Sequence, residues 1–321
     1  MESRKPRREF LAGIGALAAA ASIPEALLSR RERLYPPVDL SHFDTPIPPA
    51  PFDLHIGYAA STWGGNDRQA IEDVASAGFP GIQIRSSSVQ ELGNGTVLRE
   101  MLDKHHIEMI SLATGCLSID PAIESSEIER QVANAKFLRA AGGLYLQIID
   151  ERPKGRAITA ADYQRLGRLL TELGKRTADL GVQVGYLNHV GAMGQTPDGV
   201  EQIMAAVDPR YAKLELDVAH YFQGGGDPAK AIEKYSDRLL VLHLKDVERQ
   251  PGAAGTRESY RFVELGRGSV NLPAVLDALR KINFRGWGIV GLDAVPDKAR
   301  SPKESAMINK KYLEEKLGLT V

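Results

Sequence analysis

The chain has 321 residues, 40 basic and 41 acidic, for a formal net charge of −1, with 43% hydrophobic and 25% charged residues. That balance, with no basic stripe, argues against a nucleic-acid enzyme, and the composition is that of an ordinary globular protein. Cys116 is the only cysteine, which excludes an intrachain disulfide, and its place in a strand-like run reads as buried packing rather than a nucleophile. No apolar stretch is long enough for a transmembrane helix in the mature protein.

The N-terminus reads as separate from the fold. Arg7-Arg8, then Phe10-Leu11 and the small apolar run Ala12 to Ala21, resemble a twin-arginine export signal over residues 1–22. The expected location is therefore the periplasm. The bland alternative is a basic helix docked on the domain. Residues 23–52 carry repeated prolines, which block regular helix and sheet, so they read as an extended linker or arm.

From residue 53 onward strands and helices alternate, which predicts a parallel sheet. The expected strands are 54–58, 81–85, 107–113, 144–149 and 182–187, two more ending at Asp217 and His243, and 287–292. One helix is expected from strand 2 to His105. Gly115 and Cys116 are expected past the end of strand 3. Residues 247–268 read as a long polar loop, and such loops in compact domains are commonly functional. Residues 272–282 and 302–317 read as the last two helices. Eight strand–helix pairs over about 270 residues predict a single (β/α)8 TIM barrel at 53–321.

The stretch Leu214 to Val247 points to the site. Leu-Glu-Leu-Asp-Val-Ala-His ends one strand and Leu-Leu-Val-Leu-His-Leu-Lys-Asp ends the next. In a parallel barrel, polar residues at strand ends line the active-site face. A carboxylate and a neutral imidazole suit Mg²⁺, Mn²⁺, Fe²⁺, Co²⁺ or Zn²⁺.

Five segments in order, 186–191, 216–220, 242–246, 262–268 and 287–293, resemble the sugar phosphate isomerase/epimerase superfamily of xylose-isomerase-like TIM barrels, and most nearly its inosose dehydratase branch. The resemblance implies one divalent metal held by two glutamates, an aspartate and a histidine. Asp217 and His243 match the last two. The expected glutamate of strand 8 falls on Gly291, and the earlier one falls where Gln147, Tyr186 or Leu187 stands. Gln147 is therefore the third expected metal ligand, with His189, Glu264 and Asp293 as further donors. Fewer carboxylates mean a weaker cation site.

The chemistry the resemblance implies is removal of a proton α to a carbonyl, helped by groups that stabilise the developing oxyanion. His189 and His220 are the candidate acid and base, and Lys245 the candidate partner of negative charge. Trp63, Gln83, Arg85, Asn188, Tyr221 and Glu264 are candidate substrate contacts. Each has a plainer reading: Asp217 as a helix cap, His243 and His55 as core histidines, Lys245-Asp246 as a rim salt bridge, Trp63 and Tyr221 as packing. No phosphate-cradling glycine motif is present, and export favours unphosphorylated substrates. The expected activity is that of an isomerase, epimerase or dehydratase of a small keto-sugar, polyol or cyclitol, 3-keto-glycoside elimination included. The expected partner is a small carbohydrate, with no nucleic acid and no membrane, and a homo-oligomer is left open. The competing reading is a non-catalytic or metal-free sugar-binding barrel. A phosphodiesterase of the AP-endonuclease type would need more carboxylates and a basic face.

Overall fold

Strands buried on both faces read as continuous apolar runs, because helices cover the outside and side chains fill the inside. β1 (Asp53–Ala59), β2 (Gly81–Arg85), β3 (Glu108–Leu117), β4 (Tyr145–Asp150), β5 (Gln183–Leu187), β6 (Ala212–Asp217), β7 (Leu239–Leu244) and β10 (Arg285–Val290) are of this kind. In the computed structural model, which describes residues 52–250 and 260–321, they form a closed barrel in the order β1-β10-β7-β6-β5-β4-β3-β2. Every barrel pairing is parallel. The expected eight-stranded barrel is what the chain forms. The expected export signal and nearly all of the expected proline-rich arm lie outside the described residues. Among those described, no helix is long and apolar enough to cross a membrane.

The outer helices are α1 (Asp67–Ser76), α2 (Ser87–Leu92), α3 (Gly95–Lys104), α4 (Glu124–Ala140), α5 (Ala160–Ala178), α6 (Pro197–Ala206), α7 (Val218–Gln223), α8 (Pro228–Lys234), α9 (Leu272–Lys281) and α10 (Pro302–Leu317). Their starts carry the expected chemistry. Asn66, Thr196 and Asn271 each accept a bond from a first-turn amide, satisfying donors that have no partner inside the helix. On α5, Leu166, Leu169, Leu170 and Leu173 are buried, the i, i+3, i+4, i+7 stripe of a helix laid on a core.

Three expectations are corrected. The single helix before His105 is two helices, α2 and α3. Gly93, at φ 65°, ends the first, and the Asn94 side chain caps the second; a left-handed residue there stops the first helix. Strand β3 runs on through Gly115 and Cys116, with a register shift between Ala113 and Cys116. A bulge of this kind breaks the inside–outside alternation, and Cys116 is exposed rather than packed. The expected loop at 247–268 contains a hairpin, in which β8 (Asp246–Arg249) pairs antiparallel with β9 (Tyr260–Val263).

Candidate active site at the barrel mouth

The barrel interior beneath the mouth is polar. Residues two apart on a strand share a face, so Glu215 points inward below Asp217. Glu215 is fully buried, and its Oε1 lies 3.1 Å from His243 Nε2. Gln83 Nε2 donates to Ser111 Oγ at 2.7 Å and to Gln147 Oε1 at 2.8 Å, and lies 3.5 Å from the same Glu215 oxygen. Space for the Glu215 carboxylate comes from a neighbouring strand. A Cβ on Gly185 would stand 2.8 Å from Glu215 Oε2, so any larger residue at 185 would displace the carboxylate.

Above this layer, the residues that follow the strand ends converge. Asp217 closes β6. Its Oδ1 accepts from the backbone amides of Ala219 and His220, capping α7. Asn188 pins the same residue in place by accepting from Asp217 N at 2.9 Å and donating to Asp217 O at 3.1 Å. Asp217 Oδ2 faces Lys245 Nζ at 3.2 Å. On its other side Lys245 Nζ donates to Asp293 Oδ1 at 3.1 Å. Gly291 lies beside the lysine stem: a Cβ there would meet Lys245 Cε at an ordinary 3.7 Å and Ala59 Cβ more tightly, at 3.1 Å. His220 Nε2 and His243 Nδ1 are 3.8 and 3.9 Å from Asp217 Oδ2.

The two mouth histidines lie together, with ring centroids 3.8 Å apart. His189 Nδ1 is 2.7 Å from Val190 O, and His220 Nδ1 is 2.9 Å from Gln223 Oε1. Both partners are oxygens that accept, so both rings carry the proton on Nδ1 and leave the Nε2 lone pair free. Phe262, from the hairpin, closes over the cluster. Its ring meets His220 edge-on at 5.3 Å, and Lys245 Nζ lies 5.2 Å from its centroid. The hairpin is tied down by Asp246, whose oxygens accept from the amides of Val247, Val270, Gly266 and Gly268.

Other expected site residues are placed elsewhere. Gln147 does not reach Asp217 or His243 with a free oxygen; its Oε1 serves Gln83 in the buried layer. Gln83 belongs to that layer too. Trp63 is packed edge-on to Tyr58 and donates to Asp73 on α1. Tyr221 is buried in the core. Glu264 is buried against Arg300, Arg267 and Ser305. Arg85 lies beside Gly65, whose added Cβ would come 2.9 Å from Arg85 Nη2. Asn188 acts through the backbone of Asp217. The expected Lys245-Asp246 salt bridge is replaced by Lys245 with Asp217 and Asp293. His55 is an exposed residue of β1 near Asp53, not core. Glu215 and Phe262 were not singled out from the sequence. Glu215 carried a readable signal, a second acid two residues before Asp217 in an apolar strand.

Charge in the mouth is fixed by these neighbours. Burial, the largest single influence, opposes ionisation of Asp217, but Lys245, the neighbouring His220 and His243 and the His220 amide together outweigh it and hold the carboxyl well below the usual carboxylate range. Burial likewise opposes the charge on Lys245, yet Asp217 and Asp293 hold the ammonium above its ordinary range. Desolvation, with Lys245 next, lowers His189. Desolvation pushes His220 down to about 3. At neutral pH the mouth therefore holds one ammonium, two carboxylates and two neutral imidazoles.

The neutral state of His220 has a measurable consequence. Unfolded histidine titrates near 6.5, and folded His220 near 3. Between those values the unfolded chain binds a proton that the folded chain does not, so stability rises with pH and is lost as pH falls below about 6.5. The slope from this group is about 1.4 kcal/mol per pH unit. His220→Gln is expected to flatten the curve between pH 6.5 and 4.5 in urea unfolding. An unchanged slope would reject the assignment.

A divalent cation at Asp217 meets an obstacle in this arrangement. An ion bound to Asp217 Oδ2 would stand within a few ångströms of the Lys245 ammonium. At an effective dielectric of about 20 and a separation of about 3.5 Å, that repulsion is on the order of 10 kcal/mol. Both carboxylates that would offset it already face the ammonium. The expected set of Asp217, His243 and Gln147 therefore does not fit a divalent ion. His189, His220 and Asp293 can bring one ligand atom each within 4.8 Å of one another, a group that could hold a metal ion. Two imidazoles and a carboxylate are a zinc-type donor set, although Asp293 is the second partner of Lys245.

Residues 71–311 match the family model described as xylose isomerase-like TIM barrel. The chain is 25% identical over 301 residues to an inosose dehydratase of Lacticaseibacillus casei, covering 83% of this chain and 98% of that protein. It is 26% identical over 275 residues to an inosose dehydratase of Clostridium beijerinckii, covering 78% and 89%. Among solved structures, IolI protein with a bound zinc atom superposes with a TM-score of 0.70 at 20% identity, over 81% of this chain and 97% of that one. D-allulose 3-epimerase from Methylomonas sp. gives a TM-score of 0.69 at 20% identity, over 83% and 98%. At such identities the structural likenesses establish the fold.

Proposed function

We propose the following chemistry for this chain, which belongs to the xylose isomerase-like TIM-barrel family: it removes a proton α to the carbonyl of a small keto-sugar, polyol-derived ketone or cyclitol ketone. The observation that carries the reading is the pairing of a permanent ammonium, Lys245, with the neutral imidazoles of His189 and His220 across Asp217 and Asp293. A carbon acid of this kind is far too weak to ionise unaided at pH 7. It needs positive charge at the oxygen where negative charge develops, and a neutral base near the carbon.

Lys245 supplies the charge and His189 the base. The α C–H bond breaks, the proton goes to His189 Nε2, and the electron pair moves onto the carbonyl oxygen, where the ammonium stabilises it. The His189 Nδ1–H stays on Val190 O and holds the ring in the tautomer that can accept. His220 is more deeply buried and lower in pKa, so it orients its neighbour rather than taking the proton. Returning the proton to carbon or oxygen gives epimerisation or isomerisation, and loss of a β-hydroxyl gives dehydration. Relatives named inosose dehydratase support the last outcome.

The test is exchange of the α-hydrogen. In D₂O, the purified protein is expected to wash deuterium into the α-position of an inosose or a 3-keto-glycoside, followed by NMR. His189→Gln is expected to slow exchange by about 10²-fold or more. The wild-type rate should persist at about pH 6.5, the ordinary histidine value, and fall only at lower pH, because burial lowers the His189 pKa and protonation then removes the base. No exchange on any keto-sugar or cyclitol ketone, together with a melting-temperature shift on adding sugar, would favour the sugar-binding alternative.

A further inference from the structure

We propose that this chain has replaced the divalent cation of its fold with a built-in one, the Lys245 ammonium, and works without a metal at Asp217. The inference rests on the α-proton reading above and says which group supplies the positive charge. Three independent features meet at one place. Asp217, fully buried, uses one oxygen to cap α7 and aims the other at Lys245 Nζ, 3.2 Å away. Asp293 meets the same ammonium at 3.1 Å from the far side. Gly291, just past the end of β10, has no side chain; a Cβ there would press on Ala59 Cβ at 3.1 Å and lie in ordinary contact with Lys245 Cε at 3.7 Å, so a side chain at 291 would run beside the lysine stem.

A second glycine makes the same point deeper in the barrel. Gly185 sits where a Cβ would strike Glu215 Oε2 at 2.8 Å. Glu215 instead lies 3.1 Å from His243 Nε2, so this carboxylate faces a histidine from below rather than the mouth. The carboxylates that remain in the mouth, Asp217 and Asp293, both face Lys245. One ammonium between two carboxylates, one of them a helix cap, leaves neither carboxylate without a cationic partner, at a net charge of −1. It presents a fixed cation beneath Phe262, which covers Lys245.

The experiment has a binding arm and a turnover arm. Purified protein is treated with a chelator, assayed for metal content, and titrated with Mn²⁺ and Zn²⁺ by calorimetry. Wild type is expected to bind neither ion tightly, and its α-deuteration of an inosose should survive chelation within about twofold. Lys245→Met is expected to lose about 10²- to 10³-fold in exchange rate, the usual effect of removing one oxyanion-stabilising group. The double variant Lys245→Met with Gly291→Glu exchanges an ammonium for a carboxylate and is expected to bind Mn²⁺ at least tenfold more tightly than wild type. One tightly bound equivalent in wild type, lost in Asp217→Asn or in His189→Ala, would overturn the proposal, as would chelation that abolishes exchange. Should Lys245→Met not fold, Lys245→Gln and the wild-type titrations still decide it. Should no ketone be turned over, the functional reading falls while the metal titrations continue to test the replacement.

Discussion

Asp246→Ala is expected to cost about 2 kcal/mol or more of folding stability. The carboxylate is fully buried and accepts from four backbone amides, those of Val247, Val270, Gly266 and Gly268, at 2.9 to 3.0 Å. Removing it leaves four donors without their partner, of which those of Val247 and Val270 are buried, while Gly266 is exposed and Gly268 half-buried. Each buried unsatisfied group costs about 1–3 kcal/mol, and a domain's total stability is only about 5–15 kcal/mol. The damage is local in origin, because those amides hold the segment that returns from β9 to α9. The hairpin carrying Phe262 should therefore loosen before the barrel opens. Urea unfolding measures the loss, and amide hydrogen exchange at 260–270 locates it. Gly268→Ala should imitate the effect, since its Cβ would come 2.2 Å from Asp246 Oδ1. A loss below about 1 kcal/mol in Asp246→Ala would show that the amides find other partners.

Asp217 separates two roles that one side chain performs. Asp217→Asn keeps an oxygen for the Ala219 and His220 amides, so the cap on α7 survives. It removes the charge opposite Lys245, and both groups are shielded from solvent. Breaking one side of a buried ion pair typically costs about 3–5 kcal/mol, because a charge is left without its partner. Asp293 still faces the ammonium at 3.1 Å, which places the expected loss at the lower end of that range. Asp217→Ala removes the cap as well and should lose about 1 kcal/mol more. Both variants should show strongly reduced α-proton exchange, since Lys245 would no longer be held in place. Comparable unfolding midpoints for wild type and Asp217→Asn would mean that the ion pair contributes nothing.

The order of strands and the ends of strands were legible in the sequence for a simple reason. Each depends on a local pattern. The apolar run of β6 stopping at Asp217 and that of β7 stopping at His243 are readable because burial on both faces leaves no alternation to confuse them, and parallel strands of a barrel all end on one face. The helix starts at Asn66 and Thr196 are equally local. Where local pattern misled, a single residue overrode it. Gly93 split one helix into two, and the bulge before Cys116 turned an expected packed thiol outward.

The sequence by itself determined the barrel, its chain direction, and the fact that Asp217, His189, His220 and Lys245 belong to one mouth. It did not determine which of them touch. Lys245 stands 28 residues from Asp217 and 48 from Asp293 along the chain, and no periodicity spans such a distance. Whether the lysine faced Asp246, its neighbour, or two carboxylates from other strands was decided by where strands 6, 7 and 8 of the barrel bring their ends. The same holds for Glu215. Its charge reads as an anomaly in an apolar strand, but only the inward face of β6, with glycine at 185 opposite, makes it a partner of His243. Electrostatics acts through space at a few ångströms, so the charge state of the site is a property of the closed barrel and not of any segment within it.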